Sequence, residues 1–516
     1  MRSVLSAAML FALTALTLIL LRPLMPVDET RYLAAAWEMR VGGSAWVPHL
    51  NGALYGHKPP LLFWLINLAW ALGGIAEFPA RLIGPGFAAA SVALTGLLAQ
   101  RLWPNQPERP GAAALILAVS PVWVLFGSTT MFDAMLTCAA LLAMLALWSA
   151  AQRPRRAAWV ALGAAVAFGV YAKGPVILLH VLPAALTMPL WAGPARSSGL
   201  VWARGLGLAL LVALLLVGLW LIPALILGGA EYRTEVLWRQ SGGRMVAAFA
   251  HQKPWWFFLA LLPLMIWPFG WSQSGLAMLT PRRLLADPGT RFTAFWAGGA
   301  LAAFSLISGK QAHYLLPEMP ALALLLAGRL PTRKWRRRDL WLALPLLAAL
   351  AAFSAAAAGL IPALRKLHDP LPWWSLALGT ACLLVGIVGF LRLRSAPVAL
   401  AALPLALMVG LHLALSPLLF ACYNMTALGR TVSPFDRAGI AVTDGTYHAQ
   451  LNFAGRLRHP VARLAGPEAV AAWRQAHPDG LLLDQSGLSI SGMTPFAALP
   501  YRGGTYTLYH SQEVAP

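Results

Sequence analysis

The sequence predicts an all-α polytopic membrane protein with a small α/β domain at its C-terminal end. Of the 516 residues, 59% are hydrophobic and 11% are charged, whereas soluble domains carry about 25% charged residues. Apolar runs of about twenty residues, the length that crosses a bilayer as a helix, recur along most of the chain. After residue 423, Gly, Asp, His and Arg return, which indicates a second region of different character.

The apolar runs predict about thirteen spans. They lie approximately at 4–26, 79–101, 111–128, 131–150, 157–172, 174–192, 205–228, 255–275, 292–308, 312–328, 339–361, 371–391 and 398–421. The stretch 61–75 is also apolar, and the distribution of arginine decides its placement. If it lies along the membrane surface, every second loop is basic, as is typical of cytoplasmic loops.

These basic loops contain Arg101 and Arg109; Arg153, Arg155 and Arg156; Arg196 and Arg204; Arg282, Arg283 and Arg291; Arg333, Lys334, Arg336, Arg337 and Arg338; and Arg392 and Arg394. The pattern predicts a cytoplasmic N-terminus and an extracytoplasmic C-terminus. We therefore predict a membrane domain at 1–423, a first extracytoplasmic loop at 27–78, and an extracytoplasmic α/β domain at 424–516, with strands near 480–484 and 505–509 and a helix near 465–476.

The net charge of +21, from 39 basic and 18 acidic residues, is explained by these loops, so no nucleic-acid partner is predicted. Cys138, Cys382 and Cys422 form no CxxC pair and no disulfide framework. Arg2 precedes the first span and no small-x-small cleavage site follows before Asp28, so we interpret the first span as an uncleaved anchor.

Polar residues concentrate in the first loop, between Asp28 and Pro60. Asp28 is expected to cap a helix that starts at Glu29 or Thr30. Arg31 and Tyr32 follow at the spacing that places side chains on one helical face. Pro59 and Pro60 suit the first turn of a second short helix through 61–65.

Other candidates lie in later loops of the same face: Asp133, Lys173, His251, Lys310 and Tyr314. A basic rim with a few carboxylates suits an anionic substrate at the membrane surface. Each candidate also has a structural interpretation. The aspartates, Asp28 included, are alternatively helix caps, Lys173 a snorkelling helix end, and His251 part of an interfacial aromatic belt. His180 and His412 lie in apolar spans and are interpreted as core residues.

The first loop resembles that of the aminoarabinose lipid A transferase family, which is grouped with the protein O-mannosyltransferases among the glycosyltransferases of the C-type fold. The resemblance rests first on Asp28-Glu29-Thr30-Arg31-Tyr32, on the segment 46–52 and on Lys58-Pro59-Pro60 with the five residues that follow. Later matching segments are 132–136, 172–174, 251–256 and 308–317. Together they cover about residues 1–330.

The resemblance implies transfer of a sugar from a polyprenyl-phosphate (undecaprenyl-phosphate) donor at the outer face of a bacterial inner membrane. Because displacement of a lipid phosphate needs cations and donors around the growing charge, the predicted donor-binding residues are Arg31, Tyr32, Lys58, Lys173, Lys310 and Tyr314. The predicted catalytic residues are Asp28 and Asp133. If the acceptor is a hydroxyl, Asp28 takes its proton; if the acceptor is a phosphate, Asp28 orients the sugar.

One departure concerns a metal. His57 stands where the family commonly has Glu before Lys-Pro-Pro, and in the family that Glu and the His matched by His251 help to hold a metal. Imidazole also ligates zinc, but two neutral imidazoles carry one negative charge fewer. The sequence leaves zinc as the one candidate cofactor, with His57 and His251 as candidate ligands.

Three functions stay open. The first is a glycosyltransferase that acts on lipid A or another envelope glycolipid, the second a protein O-glycosyltransferase, and the third a transporter or flippase of a lipid-linked sugar. A transporter places ionisable groups in the middle of its spans, whereas here they collect at one face, which favours an enzyme. Membrane lipids, the lipid-linked donor and the acceptor are the expected partners of a monomer.

Overall fold

The computed structural model describes residues 1–193, 198–238, 252–329, 337–361, 371–443, 447–485, 493–502 and 504–512. This part of the chain is mostly helical. In its first half the helices are α1 (Arg2–Leu20), α2 (Asp28–Gly42), α3 (Leu61–Gly73), α4 (Glu77–Arg81), α5 (Ile83–Leu102), α6 (Arg109–Val119), α7 (Pro121–Gly127), α8 (Phe132–Gln152), α9 (Arg156–Lys173), α10 (Ile177–Leu186), α11 (Met188–Trp191), α12 (Gly199–Leu227) and α13 (Gly229–Thr234).

The second half continues with α14 (Phe257–Ile266), α15 (Gln273–Met278), α16 (Pro281–Leu284), α17 (Pro288–Leu306), α18 (Met319–Leu326), α19 (Leu344–Ala357), α20 (Trp373–Arg392), α21 (Ala396–Tyr423), α22 (Thr426–Val432), α23 (Gln450–Ala454) and α24 (Pro467–Ala476). A 3₁₀ helix, Ala312–Glu318, precedes α18 directly. Two short strands, β1 (His49–Leu50) and β2 (Ala53–Leu54), form a hairpin in the first loop.

Seven helices of the described part are long and apolar enough to cross a membrane. They are Arg2–Leu20, Glu77–Leu102, Phe132–Gln152, Gly199–Leu227, Asp339–Ala357, Trp373–Arg392 and Ala396–Phe435. An eighth span results if α6 and α7, bent by 65° at their junction, are taken together. The bend falls where Pro121 begins α7, because proline cannot donate to the preceding turn. The predicted class, a helical multi-pass membrane protein, is confirmed.

Helix α3 covers most of the ambiguous stretch 61–75. Its 13 residues extend about 20 Å, well short of the roughly 30 Å of a hydrocarbon core. Its inner face packs Leu62, Phe63 and Ile66 against α2 and the start of α8. The length and the packing agree with a helix that lies beside the bundle.

The expected capping role of Asp28 is wrong. Helix α2 begins at Asp28 itself, and its N-cap, Val27, has backbone torsions of the helical region and no side-chain capping bond. The chain therefore enters the helix one residue earlier than a capping aspartate requires. The Asp28 carboxylate instead contacts Arg31 and Tyr32 on its own helical face.

The residues after 423 contain a five-stranded sheet of β3 (Ile440–Val442), β4 (Ala462–Arg463), β5 (Leu481–Asp484), β6 (Ala497–Tyr501) and β7 (Gly504–His510). The strand order is β4-β3-β5-β7-β6. Strand β3 is parallel to β4 and β5, while β7 is antiparallel to β5 and β6. One face of the sheet packs on α22, α23 and Ala34 of α2, so this region rests on the first loop.

Candidate functional site

The first turn of α2 presents three polar side chains on one face. The Tyr32 hydroxyl donates to Asp28 Oδ1 at 3.1 Å, and the Arg31 guanidinium lies 3.7 Å from the same oxygen. These are the contacts that spacings of three and four residues produce in a helix. The Asp28 side chain is 44% exposed, so its carboxylate is open to a ligand. Burial, followed by the charge of Asp28, raises the pKa of Tyr32 well above its ordinary value, so its phenol stays a neutral donor.

A second carboxylate forms a closed ion pair. Asp133 Oδ1 accepts from Lys173 Nζ at 2.6 Å, and the two side chains are only 2% and 11% exposed. Asp133 follows the first residue of α8, whose N-cap is Met131, and so does not cap that helix. Lys173 ends α9, where Gly174 with φ +84° turns the chain away. The pair therefore joins the beginning of one helix to the end of another.

Tyr314 lies beside this pair, because its ring centroid is 5.0 Å from Lys173 Nζ. Its neighbour His313, which sequence reasoning missed, lies within electrostatic reach of Asp28, Lys58, Asp133 and Lys173. The only signal available was its position inside the segment 308–317. The structure thus brings side chains from four separate loops to one place.

Phe132 is the apolar centre of the site. Its ring makes edge contacts with Tyr32, at a centroid distance of 4.7 Å, and with Phe63, at 5.8 Å. Lys58 Nζ lies 5.7 Å from the same centroid and acts electrostatically on Asp133. Phe132 thereby fixes α2, α3 and α8 around one ring, a role its place before Asp133 did not reveal.

Lys310 occupies a different position. Its side chain is buried, and its ammonium donates to the carbonyls of Ile307 and Lys253, the latter at 3.1 Å. Desolvation lowers its pKa. These contacts tie the 308–311 turn to the loop before α14, and a donor-phosphate role for Lys310 stays a prediction.

A buried ionic network lies beside the first turn of α2. Arg22 binds the Glu29 carboxylate with both terminal nitrogens, and Glu29 also accepts from Thr130 N at 2.8 Å. Arg22 donates in turn to Ser128 O at 3.0 Å. Burial acts to raise the pKa of Glu29, but the charges of Arg22 and Arg81 hold it below its ordinary value. The network fastens the first turn of α2 to the turn that leads into Asp133.

Of the two candidate metal ligands the structure describes only His57, since His251 lies outside the described residues. His57 stacks on Tyr55 at a centroid distance of 5.4 Å, and its Nε2 lies 3.7 Å from Glu235 Oε1. In the described part of the chain no group of three or more His, Cys, Asp or Glu side chains suits a metal. Because a zinc site takes three or four protein ligands, His57 and Glu235 alone do not complete one, and no chemical step is assigned to a metal.

Fold and site together define a multi-pass membrane protein with a charged cluster at one end of its helix bundle. Residues 57–222 match the family described as dolichyl-phosphate-mannose-protein mannosyltransferase. An undecaprenyl phosphate-alpha-4-amino-4-deoxy-L-arabinose arabinosyl transferase 1 from Pseudomonas fluorescens (strain Pf0-1) is 30% identical over 406 residues, covering 76% of this chain and 68% of that protein. The chain belongs to this family of aminoarabinose transferases.

A second relative, from Pseudomonas paraeruginosa, is 34% identical over 315 residues, which cover 59% of this chain and 55% of that transferase. The chain thus spans only about half the length of that relative. The crystal structure of ArnT from Cupriavidus metallidurans in the apo state superposes with a TM-score of 0.76 at 17% identity, covering 98% of this chain and 97% of that one. The structure of the same protein bound to undecaprenyl phosphate gives 0.73 at 18% identity, with 98% of each chain covered. The two proteins share a fold.

Proposed function

We propose that the protein is an integral membrane glycosyltransferase that moves a sugar from undecaprenyl phosphate to lipid A or another envelope glycolipid at the periplasmic face of the inner membrane. The observation that carries the proposal is the half-exposed carboxylate of Asp28 in one charged cluster with the cations Lys58 and Lys173, since His313 lies within electrostatic reach of all three. The names of the relatives give their sugar as 4-amino-4-deoxy-L-arabinose. That sugar carries an amino group, for which Asp28 supplies a counter-charge.

In the proposed reaction the bond between the anomeric carbon and the phosphate oxygen breaks, and a bond from the acceptor oxygen to the anomeric carbon forms. Undecaprenyl phosphate leaves with the electron pair. Lys58 and Arg31 stabilise the charge that grows on the phosphate, and Tyr32 and Tyr314 donate hydrogen bonds. If the acceptor is a hydroxyl, its proton passes to Asp28. If it is a phosphate, the nucleophile is already an anion and Asp28 orients the sugar.

The buried pair of Asp133 and Lys173 holds a fixed charge arrangement behind these groups. Since an ion pair sealed from water keeps its geometry during a reaction, it contributes preorganised electrostatics. We assign Asp133 the task of orienting Lys173, whose ammonium faces Tyr314. An open apolar groove between α3 and α5, lined by Leu65, Leu68, Leu72, Ile83, Phe87 and Ala90 among others, suits the prenyl chain.

The proposed topology has about thirteen spans, a cytoplasmic N-terminus, a membrane domain at 1–423, a periplasmic loop at 27–78, and a periplasmic domain at 424–516. The contact of Trp37 Nε1 with Leu457 O at 2.7 Å supports it, because two segments in contact lie on one side of the membrane. Exposed tryptophans at the proposed outer ends of spans, such as Trp255 and Trp373, suit an interfacial belt.

A transporter remains the second candidate because of one buried pair. His180 Nδ1 lies 2.7 Å from Glu318 Oε1, and both side chains are almost fully buried. Ionisable groups within the apolar part of a bundle are common along transport pathways. O-glycosylation of secreted protein is the alternative within the enzyme class. The two enzyme functions differ in their acceptor, which is a glycolipid in one and a protein in the other.

The test uses the purified full chain in nanodiscs with undecaprenyl phosphate-linked aminoarabinose and lipid A. Transfer is measured by mass spectrometry of the lipid and by release of undecaprenyl phosphate. Asp28→Asn, which keeps the shape of the side chain, is expected to fold and to transfer little or no sugar. Asp479→Asn, at an exposed position of the C-terminal region, is the matched control.

Three results would contradict the proposal or a part of it. Wild-type protein that releases no undecaprenyl phosphate from any lipid-linked sugar, yet moves the lipid between the leaflets of vesicles, supports a transporter. Near wild-type transfer by Asp28→Asn removes Asp28 from the mechanism. Sugar found on secreted protein, with unmodified lipid A in cells that carry the gene, reassigns the acceptor.

A further inference from the structure

The tip of the first-loop hairpin has an unusual conformation. Strands β1 and β2 pair antiparallel, with Leu50 opposite Ala53, so Asn51 and Gly52 form a two-residue turn. Their φ angles are +55° and +80°, both in the left-handed region. Asn and Gly are the residues that tolerate this region best. The Asn-Gly pair is therefore the natural sequence for this turn.

The Asn51 side chain binds the C-terminal region. Its Nδ2 donates to Val461 O at 2.9 Å, and its Oδ1 accepts from Val461 N at 2.8 Å. Asn452 Nδ2 donates to the same Oδ1 at 3.3 Å. The side-chain amide thus satisfies both backbone groups of Val461, the residue before β4, as a neighbouring strand does.

Gly52 closes the contact. A Cβ atom at this position would meet Pro460 Cγ at 2.6 Å, so the hairpin tip lies directly against the segment before β4. On the other side, Gly52 N donates to Glu38 Oε1 of α2 at 2.7 Å. The tip is therefore held between α2, which carries Asp28, and the C-terminal sheet region.

A short rigid path leads from this tip to Lys58. Tyr55 N donates to Pro48 O at 2.8 Å, which extends the hairpin by one pair. The Tyr55 ring is buried and lies 6.2 Å from the ring of Phe63. Lys58 follows three residues later, with its ammonium near Phe132. Displacement of the hairpin would therefore displace Lys58.

We propose that Asn51 is a positioning residue through which the C-terminal sheet region holds the first loop in the conformation that presents Lys58 to the donor phosphate. For its catalytic consequence this inference rests on the proposed function. The C-terminal region thereby completes the site, although none of the charged residues assigned to the site lies in it. It acts on donor binding through the loop.

The test compares Asn51→Gly with wild type in the full chain. Glycine tolerates the left-handed turn, so the variant removes the side-chain amide without straining the backbone. Asn105→Gly, in an exposed loop, is the matched control. The readouts are the dissociation constant for undecaprenyl phosphate, the transfer rate, and hydrogen exchange of the amides of residues 49–58.

We expect Asn51→Gly to speed exchange across 49–58 and to weaken undecaprenyl phosphate binding about fivefold. Transfer should fall about tenfold, in line with the sensitivity of catalysis to small displacements. A loss of folded protein alone lowers the rate but leaves the dissociation constant of the remainder unchanged. In a Lys58→Ala background, Asn51→Gly should weaken binding no further, because coupled residues are not additive.

Faster exchange with unchanged binding and transfer would overturn the positioning role, as would a full additional loss in the Lys58→Ala background. Unchanged exchange would show that the contact of Asn51 with Val461 does not hold the hairpin. If wild-type protein neither binds undecaprenyl phosphate nor transfers sugar, the proposed function fails. In that case, hydrogen exchange of residues 49–58 alone decides whether the Asn51 contact holds the hairpin.

Discussion

Asp133 accepts a hydrogen bond from Lys173 at 2.6 Å in a pocket that leaves the two side chains 2% and 11% exposed. The two residues are 40 positions apart and belong to α8 and α9, which pack side by side. Removal of one partner of a buried ion pair leaves an uncompensated charge. The pair is therefore a sensitive place to test the site.

Lys173→Ala is expected to destabilise the protein by about 3–5 kcal/mol, because it leaves the Asp133 carboxylate buried and unpaired. The double variant Asp133→Ala with Lys173→Ala should be more stable than Lys173→Ala alone, and both should lose transfer. Thermal unfolding in nanodiscs measures the first effect, and the transfer assay the second. Equal stability of the single and double variants would show that the two charges are not coupled.

Lys58→Ala is expected to lower transfer about 10²–10³-fold, the usual effect of removing one preorganised donor from a developing charge. Lys58→Arg should recover part of the rate, since it keeps the charge but replaces a compact ammonium with a planar fork. Both variants should unfold near the wild-type temperature. Lys253→Ala, an exposed lysine of the same face, is the control, and a similar loss in that variant would argue for a general effect of surface charge.

Glu29→Gln is predicted to change the pH dependence of stability. The folded-state pKa of Glu29 lies below the ordinary value of 4.5, so its ionised form stabilises the fold above about pH 4.5. This contribution is lost as the pH falls through the folded-state pKa. The difference in melting temperature between wild type and Glu29→Gln should be largest near pH 7 and shrink below pH 4.5. A difference that is constant with pH would exclude this mechanism.

Topology gives an independent prediction. A phosphatase reporter fused after residue 516 should be active, because the C-terminal region is predicted to be periplasmic, and a fusion within the basic loop at 153–156 should be inactive. A cysteine placed at exposed Leu72 should react with lipid-soluble reagents, as expected for a helix at the membrane surface. An inactive C-terminal fusion together with an active fusion at 153–156 would reverse the assignment of faces.

Much of the site could be predicted from the sequence because its residues lie in short local patterns. The spacing of Asp28, Arg31 and Tyr32 predicts that they share one helical face. The contacts of Tyr32 and Arg31 with Asp28 confirm this prediction. The capping preference of aspartate misplaced the start of α2, since a capping aspartate and a first-turn aspartate look alike in a sequence. The sequence shows Glu29 only as one charged residue of the first loop, because nothing local indicates that Arg22 and Thr130 enclose it.

The sequence by itself determined the class of protein, since apolar length and the placement of arginine follow directly from the cost of burying charge in lipid. It also determined which loops carry polar chemistry. Only the tertiary structure decided which of those groups meet: Lys173 with Asp133, Tyr314 with Lys173, and Asn51 with Val461. These partners are 40, 141 and 410 residues apart, and their pairing depends on how helices and sheet pack, which no local pattern encodes.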